Sequence, residues 1–488
     1  MTRHRVELHA LSDDAIRGIE STAYRLLEEV GIQLDHPEAR EMLHGHGCRV
    51  GRSRVTVPRE TVDWALRNVT PHDRLFNRDG TPGFTFGQTQ LRVHNGGGQP
   101  LILDLALGKR RSAVLDDVVR VTRLLDALPH VDQITPLFGA SDVPVDLIYV
   151  ASTEAMLRNT RKPISSTAVE RPEDVPYLVE MAAACCGGID AFRHHPTMSI
   201  SVSPVSPMTF TQPVTGAIMA VARSGAAFHA LPSPTLAATG PITLAGALAQ
   251  QHAENLASFL IAAAARPGVP VMYCSRISPI DLRTAVCSWG GPEVGMSGAC
   301  AAQIAHRLGL PCDTYGLASA VATLDAQFAY ERLTNALLPA LGGADILSGA
   351  GLIGGLAGSL EAAVIDDEMI GLVKHVMKGC RVDDDTLAFE VMSRVISTDA
   401  MFLSEAHTVR HVRDGAIWTG SLDPSSFRAL DSADDIVTRA RARTEEILNT
   451  HQVEPLPDDV IQHLEEIKGR ARRGLLGARR RSPTPAYA

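Results

Sequence analysis

The sequence predicts an α/β chain built on a (β/α)8 TIM barrel, with an N-terminal helical and β-hairpin extension and a C-terminal helical tail. Three observations carry this. From residue 116 short apolar runs (QITPLFGA, KPISSTAV, TMSISVSP, AAFHALPSP, VPVMYCS, CDTYGLAS, ADILSGAG) alternate with helical stretches such as DDVVRVTRLLDAL and LAGALAQQHAENLASFLIAAAA. The apolar runs are continuous rather than alternating, as in a parallel sheet covered by helices. No Gly-rich dinucleotide fingerprint follows any of them, which counts against an open doubly wound sheet.

Residues 1–115 read as the extension, 116–440 as the barrel and 441–488 as a C-terminal helix with a basic, disordered tail. In SDDAIRGIESTAYRLLEEVGI, Ser12 is the expected helix cap, two acids sit in the first turn, and Gly31 ends the helix. PRETVDWALRNV reads as a second helix with Pro58 at its first turn. HNGGGQPLILDLALGKRR resembles a hairpin; Gly96 to Gly98 lack the flanking strand and helix of a phosphate loop. Seven strand–helix units follow, and AMFLSEAH is the expected site of the eighth strand. KGRARRGLLGARRRSPTPAYA reads as a solvated tail.

A formal net charge of −9 offers no electrostatic footprint for nucleic acid or an anionic membrane. The longest apolar run is broken by Arg266 and Pro267, and Asp13, Asp14 and Glu20 interrupt any leader-like pattern. The 8 cysteines form no C-x-x-C pair, so a cytoplasmic location with reduced thiols is expected. His46-Gly47-Cys48 has a local metal-binding form but lies in the helical extension, so no metal is expected.

Barrel enzymes assemble their sites at the C-terminal ends of the strands. VPVMY is the fifth strand, and CSRISPIDLRTAVCSWGG is a long connection over the mouth. In a chain with 3 Trp and 7 Tyr, placing Tyr273 and Trp289 beside Arg276 and Arg283 singles this connection out.

The blocks PITLAGALAQQHAENLASFLIAAAARPGVPVMY, IDLRTAVCSWGGPE, DAQFAYERLTNALLPALGGADILSGAG and SLEAAVIDDEMIGLVKHVMKGCRVDDDTLA resemble the trimethylamine:corrinoid methyltransferase superfamily. LDLALGKRRSAVLDDVVRVTRLLDALPHVD, LRNTRKPISST and EAHTVRH extend the resemblance from about residue 10 to 465. It implies a barrel that moves a methyl group from a methylated amine to the cobalt of a corrinoid protein. The family's type member carries pyrrolysine. This chain has only the standard residues, which implies the non-pyrrolysine, glycine betaine methyltransferase-like branch. The implied substrate is a quaternary amine of the betaine or carnitine type. The implied acceptor is Co(I) of a corrinoid (cobalamin) on a partner protein or free in solution, with no bound nucleotide. A homo-oligomer is expected. The alternatives are a non-catalytic barrel binding a betaine or a corrinoid protein, and direct transfer to another acceptor such as tetrahydrofolate.

In-line attack on a quaternary ammonium releases a neutral amine, so no general acid is required. Aromatic faces hold such a cation without stabilising it as tightly as an ion pair would. Phe138, Phe210, Tyr273, Trp289 and Tyr315 lie at or after predicted strand ends and form the candidate cage. Arg276 is the candidate grip on a substrate carboxylate, and Arg283 either joins it or braces the loop through Asp281. Asp325, Gln327 and Glu361 at helix starts are candidate catalytic residues; Asp325 also suits a helix cap. Gly354 and Gly355, with His229 and His407, are the candidate corrinoid approach.

Overall fold

The computed structural model describes residues 3–4, 6–87, 90–105, 107–422 and 435–479. The N-terminal helix spans Asp13–Arg25, with the Ser12 hydroxyl accepting from the Ala15 N–H. The chain leaves it at Gly31, where φ is +76° and an added Cβ would lie 2.3 Å from the Val55 carbonyl oxygen. Only glycine meets both demands. The expected second helix spans Arg59–Arg67 directly after Pro58.

The barrel sheet consists of β1 (Arg92–Asn95), β2 (Ile164–Ser165), β3 (Met198–Val202), β4 (Ala227–Ala230), β5 (Val269–Ser275), β6 (Cys312–Tyr315) and β7 (Ile346–Ala350). They are ordered β2-β3-β4-β5-β6-β7-β1, and every neighbouring pair is parallel. The eighth position is filled by residues 133–134, which bridge His94 on one side and Ile164 on the other and so close the ring. Full closure leaves no open edge.

This corrects the expected strand at AMFLSEAH. Phe402–Ser404 form a 3-10 turn, and His407 lies in the helix Ala406–Arg413. The missing strand is RVHN, at residues 92–95, just before the glycines; a barrel beginning at residue 116 omits it. The predicted hairpin survives in its second half, with Leu101–Asp104 antiparallel to Lys109–Ser112.

The base of the barrel is plugged by the N-terminal segment. Leu75, Phe84 and Phe86 pack with Met272, Cys274 and Ile346 in one buried cluster. Val69–Pro71 pairs in parallel with the start of β5. The helices that position the site are α1 (Leu244–Ala265), α2 (Pro292–Arg307), α3 (Ala326–Leu341) and α4 (Leu360–Met377).

The basic tail is also corrected in part. Residues up to Arg479 continue the helix Asp458–Arg479, in which Lys468 pairs with Glu154 and Arg470 with Glu180. Residues 480–488 lie outside the described residues. Among the described residues no helix is long and apolar enough to cross a membrane.

Candidate active site

Strand phase decides which expected residues reach the mouth, because successive side chains of a strand point to opposite faces. On β5, Met272 and Cys274 face the barrel interior. Tyr273, between them, therefore faces α1, where its hydroxyl lies 3.3 Å from His252 Nδ1 and its ring packs against Phe259. It is a core residue and leaves the expected cage. Phe210 leaves it too: it is fully buried in a short ladder beside Leu34, outside the barrel sheet. Phe138 is buried against the chain at Gly358, where an added Cβ would approach its ring to 2.8 Å.

Other expected site residues have local partners. Arg283 is 89% exposed and donates through Nε and Nη2 to both oxygens of Asp281, so it braces the loop. Asp325 caps α3, accepting from the Phe328 N–H and the Thr323 hydroxyl. Glu361 accepts from the Ser359 hydroxyl in the first turn of α4. His407 donates to the Asp385 carbonyl and lies at a tilt against His411, in the C-terminal helices away from the strand ends. Gln327 donates to Glu331, whose other oxygen accepts from the Ser319 hydroxyl and the Ala320 N–H.

Four expected residues do converge. Trp289 stacks on Tyr315 with ring centroids 4.6 Å apart and planes inclined by 22°. The Arg276 guanidinium lies 5.1 Å from the Tyr315 centroid, so Tyr315 is flanked by an indole and a guanidinium. Gly355 sits beside the Trp289 indole, close enough that an added Cβ would be 3.6 Å from Cδ1. Trp289 and Tyr315 are half-buried, whereas Arg276 is buried beneath them.

The chain supplies what Arg276 needs at that depth. Its Nη2 donates to Asp313 Oδ1 at 2.8 Å, and Nη1 donates to the carbonyls of Ser275 and Asp313. Three of five donors are thereby used, leaving Nε–H and one Nη2–H without a partner among the described residues. Burial opposes ionisation of the Asp313 carboxyl, but Arg276 above all holds it well below the usual carboxylate range. A lone buried charge at either position would be costly; the pair is mutually compensated.

Below Arg276 the interior is polar. His229, expected at the corrinoid approach, is instead buried and faces inward from β4, with Nδ1 3.9 Å from Asp313 Oδ2 and Nε2 3.0 Å from His72 Nδ1. His94 Nε2 lies 3.3 Å from the same Asp313 oxygen. Burial drives the His229 imidazole well below its ordinary range and the His72 imidazole down to about 4. Sequence reasoning missed Asp313, His94, His72 and Cys274. The available signal was an aspartate inside an otherwise apolar run, CDTYGLAS, since an unpaired buried charge is expensive.

The loops around the mouth are anchored from behind. Arg332 on α3, fully buried, donates to both oxygens of Asp366 on α4 and to the carbonyls of Leu352 and Gly349. Asp366 also accepts from the Gly351 N–H. The glycine turn from Gly349 to Gly355 is thus tied to two helices. At the other rim Gly290 has no room for a side chain: an added Cβ would lie 2.3 Å from Glu331 Oε2. A cavity of about 790 Å³ opens at the opposite end, lined by Pro71, Phe86, Pro311 and Asp345 ahead of the strands. Conserved chemistry in barrel enzymes sits at the other face, where the aromatic stack lies.

A closed parallel barrel with an aromatic and arginine-lined mouth defines an enzyme of the class expected from the sequence blocks. The chain belongs to the trimethylamine methyltransferase family, whose model matches residues 1–474, and it is a methyltransferase. It is 30% identical over 463 residues to the glycine betaine methyltransferase of Desulfitobacterium hafniense (strain Y51), covering 92% of this chain and 94% of that protein. It is 28% identical over 466 residues to the trimethylamine methyltransferase MttB of Desulfitobacterium hafniense (strain DSM 10664 / DCB-2), covering 94% and 93%. The crystal structure of the Methanosarcina barkeri monomethylamine methyltransferase matches with a TM-score of 0.49 and 13% identity, over 95% of this chain and 94% of that one.

Proposed function

We propose that this protein transfers a methyl group from a zwitterionic quaternary amine, of the glycine betaine type, to the Co(I) of a corrinoid held by a partner protein or free in solution. The observation that carries this reading is the Trp289–Tyr315–Arg276 stack at the C-terminal end of β5 and β6. The half-buried Trp289–Tyr315 pair offers aromatic surface to a cation, and the two N–H groups of Arg276 left unused among the described residues match a carboxylate. A relative 30% identical is named as a glycine betaine methyltransferase, which supports the same substrate class.

In this reading the corrinoid supplies the nucleophile that accepts the methyl group. The residues at the rim suit a large planar partner: Gly354 and Gly355 carry no side chain, and Leu356 beside them is 64% exposed. The Trp289–Tyr315 pair meets the ammonium with aromatic surface, desolvating it without an ion pair that methyl loss would forfeit. Arg276, fixed by Asp313, orients the molecule through its anionic end, so that one N–CH3 bond is presented outward. No side chain need move a proton, because the leaving amine departs neutral.

The test is anaerobic mixing of the protein with reduced cobalamin and each of glycine betaine, proline betaine, carnitine, choline and trimethylamine. The assay is repeated with a cognate corrinoid protein. Loss of the Co(I) absorption with a betaine, matched mole for mole by its demethylated product, is the expected result. Turnover of trimethylamine or choline in preference to every carboxylate-bearing compound refutes the assignment to Arg276.

A further inference from the structure

Four side chains from four different strands meet inside the barrel, below Arg276. Asp313 Oδ2 on β6 lies 3.3 Å from His94 Nε2 on β1, 3.9 Å from His229 Nδ1 on β4 and 4.0 Å from Cys274 Sγ on β5. The ligand atoms of His229, Cys274 and Asp313 all lie within 4.8 Å of one another, and all three residues are buried. Donor atoms at about 2.0 to 2.3 Å from a tetrahedral zinc are about 3.3 to 3.8 Å apart, so the cluster has nearly the spacing of a metal shell.

The hydrogen positions point the same way. His94 Nδ1 is 2.7 Å from the Asn95 carbonyl, which can only accept, so Nδ1 carries a proton. Its Nε2 lies within hydrogen-bond distance of Asp313 Oδ2, so His94 buttresses the carboxylate and stands outside the ligand group. His229 Nε2, 3.0 Å from His72 Nδ1, has the outer-shell partner that fixes the tautomer of a metal-bound imidazole. Arg276 takes the other carboxylate oxygen, Oδ1, leaving Oδ2 to the cluster.

We propose that His229, Cys274 and Asp313 hold a zinc ion inside the barrel. A thiolate with one imidazole and one carboxylate favours zinc over the hard cations. Three protein ligands leave the fourth tetrahedral position to a water. Zinc entry releases the Cys274 thiol proton. With Arg276 counted, the cluster then carries one net positive charge. The ligands stand on separate strands, so no local spacing announces them, and a metal is not expected from sequence alone.

The test is elemental analysis of protein purified without a metal-affinity column and dialysed against metal-free buffer. The expected content is about one zinc per chain, falling severalfold in Cys274→Ser and His229→Gln. Replacing zinc by Co(II) should give a thiolate-to-cobalt charge-transfer band that Cys274→Ser abolishes. His407→Ala, at the exposed group Asp385, His407 and His411, should leave both readouts unchanged. If Cys274→Ser does not fold, His229→Gln and the Co(II) spectrum of the parent protein decide. A folded parent chain that holds no zinc and takes none up on titration overturns the proposal. So does zinc that survives both interior substitutions, or that His407→Ala removes. None of these readouts depends on methyl transfer, so the site and the proposed substrate stand or fall separately.

Discussion

Replacing Arg332 by Met removes the guanidinium that joins α3 to α4 and to the glycine turn at the mouth. Both Arg332 and Asp366 have fully buried side chains. The substitution strands the Asp366 carboxylate with the Gly351 N–H alone, and frees the carbonyls of Leu352 and Gly349. Removing one partner of a buried pair costs about 3 to 5 kcal/mol, most of it the penalty on the charge left behind. Asp366 can escape part of that penalty by protonating, and burial already pushes its carboxyl upward against the opposing pull of Arg332. Without Arg332 its folded-state affinity for a proton rises further. A carboxyl raised above its unfolded value contributes stability below that value and loses it as the pH climbs through the folded one. The defect should therefore be largest near pH 8 and shrink towards pH 5. Arg332→Met combined with Asp366→Leu should cost less than the sum of the single changes, because no charge is left buried. Urea unfolding at several pH values, followed by tryptophan fluorescence, measures all three variants. A cost below about 1 kcal/mol for Arg332→Met, or one that does not fall on acidification, refutes this account of the brace.

Trp289→Leu should raise KM for the preferred betaine about tenfold, as expected for loss of about 1 to 2 kcal/mol of cation–π attraction, while the fold is retained; unchanged kinetics remove Trp289 from the site. Asp367 is buried, which lifts its carboxyl to about 6 from an ordinary 3.8 despite nearby lysines. Its contribution is present below the unfolded value and lost as the pH rises through 6, so Asp367→Asn should be about 1 to 3 kcal/mol more stable at pH 8. That gain should vanish near pH 4 in a comparison of thermal midpoints, and a pH-independent difference counts against it. Gly31→Ala meets both a positive φ and the Val55 carbonyl; a loss of about 2 kcal/mol or more in urea unfolding is expected, and a neutral effect rejects the steric argument.

The barrel was legible because seven apolar runs in alternation with helices leave few other arrangements. The strand at 92–95 was not, because Arg92, His94 and Asn95 give it no apolar run. His94 and Asn95 are buried or nearly so only because the interior supplies partners, such as the Thr135 main chain for Asn95. Phase was the second hidden quantity. Tyr273 and Tyr315 both sit near strand ends in sequence, yet one faces a helix and the other the mouth, and a one-residue shift exchanges them. Caps were easier: Ser12 and Asp325 act within three residues of themselves, so local sequence specifies them. Arg276 was legible as a charge just past the fifth strand, but Asp313, which holds it, is visible only once β5 and β6 are placed side by side.

The pairing of β1 with β7 joins segments roughly 250 residues apart in the chain, which makes ring closure a late, non-local event in folding. While the chain emerges from the ribosome, β1 must wait for its partner to be synthesised, with one row of backbone groups unpaired. The glycine turn that follows β7 is made after almost the whole barrel, so the mouth is completed last. A nascent chain stalled before residue 346 would hold an open, adhesive sheet rather than a smaller barrel.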